Sequence, residues 1–277
     1  MRVDAHVHFW GAGELAGYYW MTDEMAAIRR PFSPDDLRPL LAAHGFEGAV
    51  VVQTSSSVEE TRGFLELSAR TDIVAGVVGW VDLTSPQVGE TLAELAGARL
   101  VGIRHQVHDE TDAEWLLRHD VRRGLRALQE AGLTYDVLVK TRELPAALDA
   151  ARRFPEVPMV IDHIAKPPIA TGELEPWAER MAPFAELEHV RCKVSGLVTE
   201  ADWDSWTVDD LRPYVQRVVD WFGEDRLIFG SDWPVCTVAA SYDEVVRACE
   251  DALGEMSASA RDKIFGGNAT AFYGLGA

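Results

Sequence analysis

His6 and His8 stand two residues apart near the start of the chain, and each imidazole can bind a metal, hold a proton or accept a hydrogen bond. On a β-strand such residues share a face, so both rings would aim the same way. Two neutral imidazoles converging in a pocket make half of a zinc site. His163 and Asp232, each just after a short apolar run, are placed to complete it. The same four residues would also suit a hydrogen-bonded polar cluster without metal, and spacing alone does not choose. Asp232 lies in Phe229-Gly230-Ser231-Asp232-Trp233-Pro234. A carboxylate there can take a proton from water, or it can hydrogen-bond the turn that ends the run. In that segment Gly230 lets another group approach closely.

Arg104 and His105 are adjacent, so on a regular strand only one faces a pocket. Arg104 can bind a carbonyl or carboxylate oxygen, and His105 can contact substrate; either can instead be a barrel-rim residue. Lys140 and Lys193 read as structural. Trp10, Trp80, Trp203, Trp206 and Trp233 follow apolar runs, and Trp20 lies in the first long loop. Their flat faces and N–H donors suit a sugar-like ring, although packing loops over a pocket explains most of them. Trp10, Trp80 and Trp206 are the candidates for substrate contact, together with His105. Val194-Ser195-Gly196 lacks the glycine two places before Ser195 that a nucleophile elbow needs.

Eight elements could position these side chains. Apolar or β-branched runs occur at Val3–Ala5, Ala49–Val52, Ile73–Val81, Leu100–Ile103, Thr134–Val139, Met159–Ile161, Val190–Val194 and Leu227–Phe229. They recur about every 32 residues, against about 31 per unit in an eight-stranded (β/α)8 barrel. Between them lie helix signals. Ser33-Pro34, Ser57, Asp120 and Thr207 read as helix starts, with stops at Gly45, Gly132 and Gly223. Strand then helix, repeated, means a parallel sheet. The expected fold is α/β, a distorted barrel spanning residues 1–277 as one domain. A doubly wound nucleotide-binding sheet fits poorly, because Gly11 and Gly13 are not followed by the third glycine of the fingerprint. In a barrel, chemistry sits at the C-terminal ends of the strands, where most of the residues above fall.

Composition narrows the partners. The 277 residues hold 26 Lys plus Arg against 45 Asp plus Glu, a net charge of −19. Such a chain repels nucleic acid and anionic membrane. Three cysteines without a CxxC pair suggest a reducing compartment rather than a disulfide framework. The opening MRVDAHVHFW is interrupted by Asp4, His6 and His8 and does not read as a signal peptide. The expectation is a cytoplasmic protein acting on a small molecule, with a homo-oligomer compatible.

Six motifs carry a family likeness. They are Val3-Asp4-Ala5-His6-Val7-His8-Phe9-Trp10, Gly79-Trp80-Val81-Asp82-Leu83, Gly102-Ile103-Arg104-His105, Ile161-Asp162-His163-Ile164-Ala165-Lys166-Pro167, Lys193-Val194-Ser195-Gly196-Leu197 and Phe229-Gly230-Ser231-Asp232-Trp233-Pro234-Val235. With the tail Gly267 to Tyr273, the chain resembles the amidohydrolase superfamily. The likeness is to the amidohydrolase-2 branch, among sugar-lactone hydrolases of the L-fuconolactonase and L-rhamnonolactonase type. The resemblance implies an amidohydrolase-type barrel and a hydrolase opening an aldonolactone to the free acid. It implies Asp232 as general base, with His163, Arg104 or a metal on the oxyanion. Strand five offers Asp136 where the superfamily pattern has a metal-binding histidine. That leaves at most one divalent ion, zinc by ligand type, on His6, His8, His163 and Asp232, with metal-free catalysis as the other course. Two rival functions share the fold: a metal-dependent decarboxylase of a carboxylic acid, and a sugar-binding barrel without catalysis.

Overall fold

The computed structural model describes residues 1–13, 15–97 and 99–276. Every apolar run becomes a strand: β1 (Val3–Val7), β2 (Gly48–Val52), β3 (Val74–Gly79), β4 (Leu100–Gln106), β5 (Thr134–Leu138), β6 (Met159–Ile161), β7 (Val190–Val194) and β8 (Leu227–Phe229). They form one sheet in chain order, and all seven neighbouring pairs are parallel. Parallel strands are covered on both faces, which is why they read as near-continuous Val, Ile and Ala. The circle closes just beyond the regular ladders. Val7 bridges Trp233, His8 N donates to Trp233 O at 2.7 Å, and Asp232 N donates to His6 O at 2.9 Å. Closure therefore runs through the same residues that carry the candidate chemistry.

Helices alternate with the strands: α1 (Pro34–Ala43), α2 (Val58–Ser68), α3 (Val88–Leu95), α4 (His119–Ala131), α5 (Leu144–Arg153), α6 (Trp177–Met181), α7 (Val208–Phe222) and α8 (Tyr242–Leu253), then α9 (Ala258–Asp262) and α10 (Asn268–Tyr273). Ser33 and Thr207 start α1 and α7 in reciprocal capping boxes with Asp36 and Asp210, and Ser57 Oγ accepts from Glu60 N at 3.1 Å. Gly132 ends α4 at a φ of 68°. One start differs from the sequence reading. Arg118 precedes α4, and Asp120 lies inside its first turn, where it accepts from Arg118 and faces the positive end of the helix dipole.

The larger hydrophobic cluster fills the layer between strands and helices, with Leu37, Leu41, Leu125 and Val215 meeting Val51, Val77, Ile103 and Phe229. A smaller cluster joins Val3, Ala5, Val50, Val52, Val78, Val160 and Ile228 to Ala269, Tyr273 and Leu275. The C-terminal segment thus covers the end of the barrel where the strands begin. Gly266 packs so close to the chain start that a Cβ there would lie 2.2 Å from Met1 O. No helix among the described residues is long and apolar enough to cross a membrane.

Candidate active site

The histidine pair owes its aim to an irregularity in β1. The β1–β2 register shifts between Asp4 and Val7, and such a bulge redirects the side chains around it. Ala5 packs inside the barrel while Asp4 turns out to α8, where Tyr242 OH donates to its Oδ2 at 2.9 Å. Asp4 Oδ1 also accepts from Ser231 N at 2.9 Å and His6 N at 3.2 Å, tying β1 to the segment after β8. His6 and His8 then face the mouth. Gly230 makes room for them, since a Cβ at that position would lie 2.6 Å from His6 Cβ.

Asp232 is the meeting point. Its Oδ1 lies 3.3 Å from His8 Nε2, 3.8 Å from His6 Nε2 and 4.0 Å from His163 Nε2. The carboxylate is held at a φ of 60°, outside the range an aspartate adopts without cost. The loop after β6 is strained further, with His163, Ile164, Ala165 and Lys166 all at positive φ. Each such residue costs on the order of 1–3 kcal/mol and persists only where the surroundings enforce it. Here the enforcement is local. His163 Nδ1 meets Ser195 Oγ at 2.9 Å, and Gly196 leaves space for the ring that a Cβ would fill at 2.6 Å.

Electrostatics separate the groups. Burial pushes His163 well below its ordinary value, with Asp232 pulling the other way. Burial also lowers His6, reinforced by Lys193. Burial alone would raise Asp232, but the surrounding histidines and Lys166 outweigh it and hold the carboxyl below its ordinary value. Beneath them lies a wholly buried charge cluster. Lys193 Nζ stands 2.6 Å from Asp136 Oδ2, 2.9 Å from Asp162 Oδ1 and 3.2 Å from His6 Nδ1. Tyr273 OH donates to Asp136 Oδ2 at 2.8 Å. Burial pushes Asp136 up to about 6 despite Lys193. For Asp162, Lys193, His6 and Arg104 overcome burial and keep the carboxyl well below the usual range.

Strand alternation settles β4. Ile103 packs outward, so Arg104 points in and His105 out. Arg104 Nη1 donates to Asp162 Oδ2 at 3.2 Å and lies 3.1 Å from His6 Nε2, Nη2 donates to Gln53 O, and Nε–H has no protein partner. His105 stacks on Trp115 at 4.1 Å, takes Trp80 Nε1–H at 3.0 Å and meets Glu110 at 2.8 Å. A cavity of about 300 Å³ opens over Asp232, lined also by His8, Arg104 and His163. Neither His105 nor Trp80 is on its wall. Trp10 packs with Tyr18, Trp20 and Phe32, and Trp206 Nε1 donates to Ala239 O; both likewise stand off the wall. The structure thus gathers His6, His8, His163, Asp232 and Arg104 at this cavity; His105, Trp80 and Trp206 stand behind its wall, and Trp10 lines a second cavity. The aromatic on the wall is Trp20, joined by His108, Lys140 and Lys166, with Met25, Leu138 and Val235 as an apolar side. His108 carried no sequence signal beyond its place two residues after β4.

The donor set fits a divalent ion. Bonds of about 2.0–2.2 Å to tetrahedral zinc place neighbouring ligand atoms roughly 3.4 Å apart, and the distances around Asp232 Oδ1 bracket that. His8 Nδ1 meets Val52 O at 2.8 Å, which puts its proton on Nδ1 and the lone pair of Nε2 toward Asp232. Two triads bring ligand atoms within 4.8 Å of one another: His6, His8 and Asp232, and His6, Asp162 and His163.

Residues 3–275 match the amidohydrolase family (Amidohydro_2). The chain belongs to that family. This amidohydrolase is 43% identical to an L-fucono-1,5-lactonase of Burkholderia ambifaria, over 98% of this chain and 95% of that one. It is 41% identical to an L-fucono-1,5-lactonase of Burkholderia multivorans, over 99% and 96%. Among solved structures it resembles a Burkholderia multivorans amidohydrolase crystallised with bound zinc, at a TM-score of 0.93 and 40% identity over 99% of each chain. A 5-carboxyvanillate decarboxylase of Novosphingobium aromaticivorans shares the fold at a TM-score of 0.71 and 15% identity, over 99% and 97%.

Proposed function

We propose that this amidohydrolase opens a sugar-acid lactone to the free acid, with Asp232 as the group that moves the proton. The observation that carries the reading is the buried Asp232 carboxylate under a 300 Å³ cavity, ringed by His6, His8 and His163 and faced by Arg104. The full-length lactonase relatives favour it over a decarboxylase or a silent sugar-binding barrel.

Asp232 takes one proton from water as the oxygen attacks the lactone carbonyl. Arg104, through its unpartnered Nε–H, and His163 receive the developing oxyanion. The tetrahedral intermediate collapses, the ring C–O bond breaks, and Asp232 returns its proton to the leaving oxygen. The product carboxylate forms beside Lys140 and Lys166. Met25, Leu138 and Val235 offer an apolar wall to the methyl of a 6-deoxy sugar. A divalent ion, when bound by His6, His8, His163 and Asp232, would supply Lewis acidity and lower the pKa of a bound water. The set is mononuclear in this reading, because Asp136 is already paired with Lys193 and Tyr273. Zinc suits three imidazoles and a carboxylate better than magnesium does.

The test is acid release from a stereochemically complete panel of aldonolactones, read with a pH indicator. Turnover of six-carbon or 6-deoxy lactones is expected; no rate above background across the panel would sink the reading. Elemental analysis of protein purified without chelator is expected to find at most one divalent ion per chain. Two would refute the mononuclear set.

A further inference from the structure

Besides Arg104 Nε, assigned above to the oxyanion, two buried polar atoms of cavity-lining residues have no protein partner among the described residues: Trp20 Nε1 and His108 Nδ1. Buried polar groups are nearly always paired, so such atoms call for a group supplied from outside. The chemistry of that group follows from the other edge of His108. Its Nε2 lies 3.3 Å from Asp109 Oδ1, and Tyr19 OH fixes that carboxylate by donating to Oδ2 at 2.8 Å. A carboxylate beside Nε2 draws the ring proton to that nitrogen and leaves Nδ1 as a lone pair. Burial, with Lys166, Lys140 and Arg104 also disfavouring a second proton and Asp109 opposing them, pushes His108 down to about 4. The two residues therefore present one acceptor, His108, and one donor, Trp20. A carboxylate or phosphate oxygen only accepts and would leave His108 unpaired. An apolar group would leave both unpaired. Hydroxyl groups donate and accept, and satisfy both.

We propose that His108 and Trp20 form the subsite that reads the hydroxyls of the lactone, one hydroxyl donating to His108 Nδ1 and one hydroxyl oxygen accepting from Trp20 Nε1. The inference rests on the sugar-lactone reading and names the residues that choose among such lactones. Both are specificity-determining residues, apart from the machinery around Asp232. Sites built to hydrogen-bond a hydroxyl strongly reject the analogue that lacks it, because their own buried groups are then stranded.

The experiment compares kcat/KM for a lactone the wild type opens with its monodeoxy analogues, in the wild type, His108→Leu and Trp20→Phe. In the wild type, losing one particular hydroxyl is expected to cost about 30-fold or more. In His108→Leu the parent falls and that contrast shrinks to within about threefold, while contrasts at other hydroxyls persist. Trp20→Phe, which keeps the aromatic face and removes the donor, is expected to flatten a contrast in the same way. Should His108→Leu fail to fold, Trp20→Phe carries the comparison alone. Wild-type turnover with no hydroxyl contrast, or contrasts unchanged in the variants, overturns the subsite alone. A wild type that opens no lactone overturns the function reading and the subsite with it.

Discussion

A general base is most useful when it is ionised where the enzyme works and has somewhere to send its proton. Asp232, the base proposed above, meets the first condition through its neighbours. Burial argues against its charge, but the histidines around it and Lys166 win, so it stays a carboxylate at neutral pH. The sign is that of a lowered acid: the competent form exists above the folded pKa and is lost as pH falls through it. The acid limb of kcat/KM is therefore expected below the ordinary aspartate value of 3.8, with no inflection from this residue at higher pH. Asp232→Asn keeps the shape but cannot take the water proton. It is expected to lower the rate by about 10²–10⁴-fold or more while the melting temperature barely moves. Near-normal turnover would return Asp232 to the role of a turn residue and pass the base function to another group.

At the scale of elements, the junction of β1, the segment after β8 and α8 is made by one buried acid. Asp4 accepts from Ser231 N, His6 N and Tyr242 OH, and its burial pushes the carboxyl up to about 6. A folded pKa above the unfolded one gives stability that is present below 3.8 and lost as pH rises through about 6. Asp4→Asn removes the charge and keeps the shared oxygen, and the Tyr242 hydroxyl can turn to accept. From about pH 3 to pH 7.5, urea unfolding is expected to show the wild type losing about 3 kcal/mol relative to Asp4→Asn. A gap between the two proteins that does not change with pH would refute this. The same junction shows what the sequence makes legible. Strands buried on both faces are apolar runs, so all eight could be found, and His6, His8, His163 and Asp232 followed from standing at their ends. The β1 bulge has no such signature, and simple alternation would have grouped Asp4 with the histidines. Nor do loops have a period. Trp20 reaches the cavity from the long β1–α1 connection and His108 from two residues past β4, whereas Trp80 and Trp206 pack beside it and Trp10 lines a second cavity.

For the whole molecule, the two ends of the chain meet beneath the site. The acidic surface, with a net charge of −19, leaves the buried cations Arg104 and Lys193 inside an otherwise anion-repelling body, a balance that favours release of an acid product. Lys193 is held from below as well as above. It pairs with Asp136, which in turn takes the hydroxyl of Tyr273 from α10. Ala269, Tyr273 and Leu275 bury their side chains against Val3, Ala5, Val50 and Ile228, so the last turns of the chain seal the barrel on the side away from the cavity. Removing residues 268–277 would expose that apolar floor and let water reach Asp136 and Lys193. Burial of two large side chains contributes about 3–6 kcal/mol, and loss of the buried tyrosine–carboxylate bond adds about 1–3 kcal/mol. The sum is comparable to the whole margin of a typical domain, about 5–15 kcal/mol. The truncated chain is therefore expected to be insoluble or to melt about 10 °C or more below the full chain. Tyr273→Phe, which removes the hydroxyl alone, is expected to lose only about 1–3 kcal/mol in urea unfolding. A truncated chain that melts within a degree or two of the intact one would mean the barrel closes without its tail, and that Lys193 is held by Asp136 and Asp162 unaided.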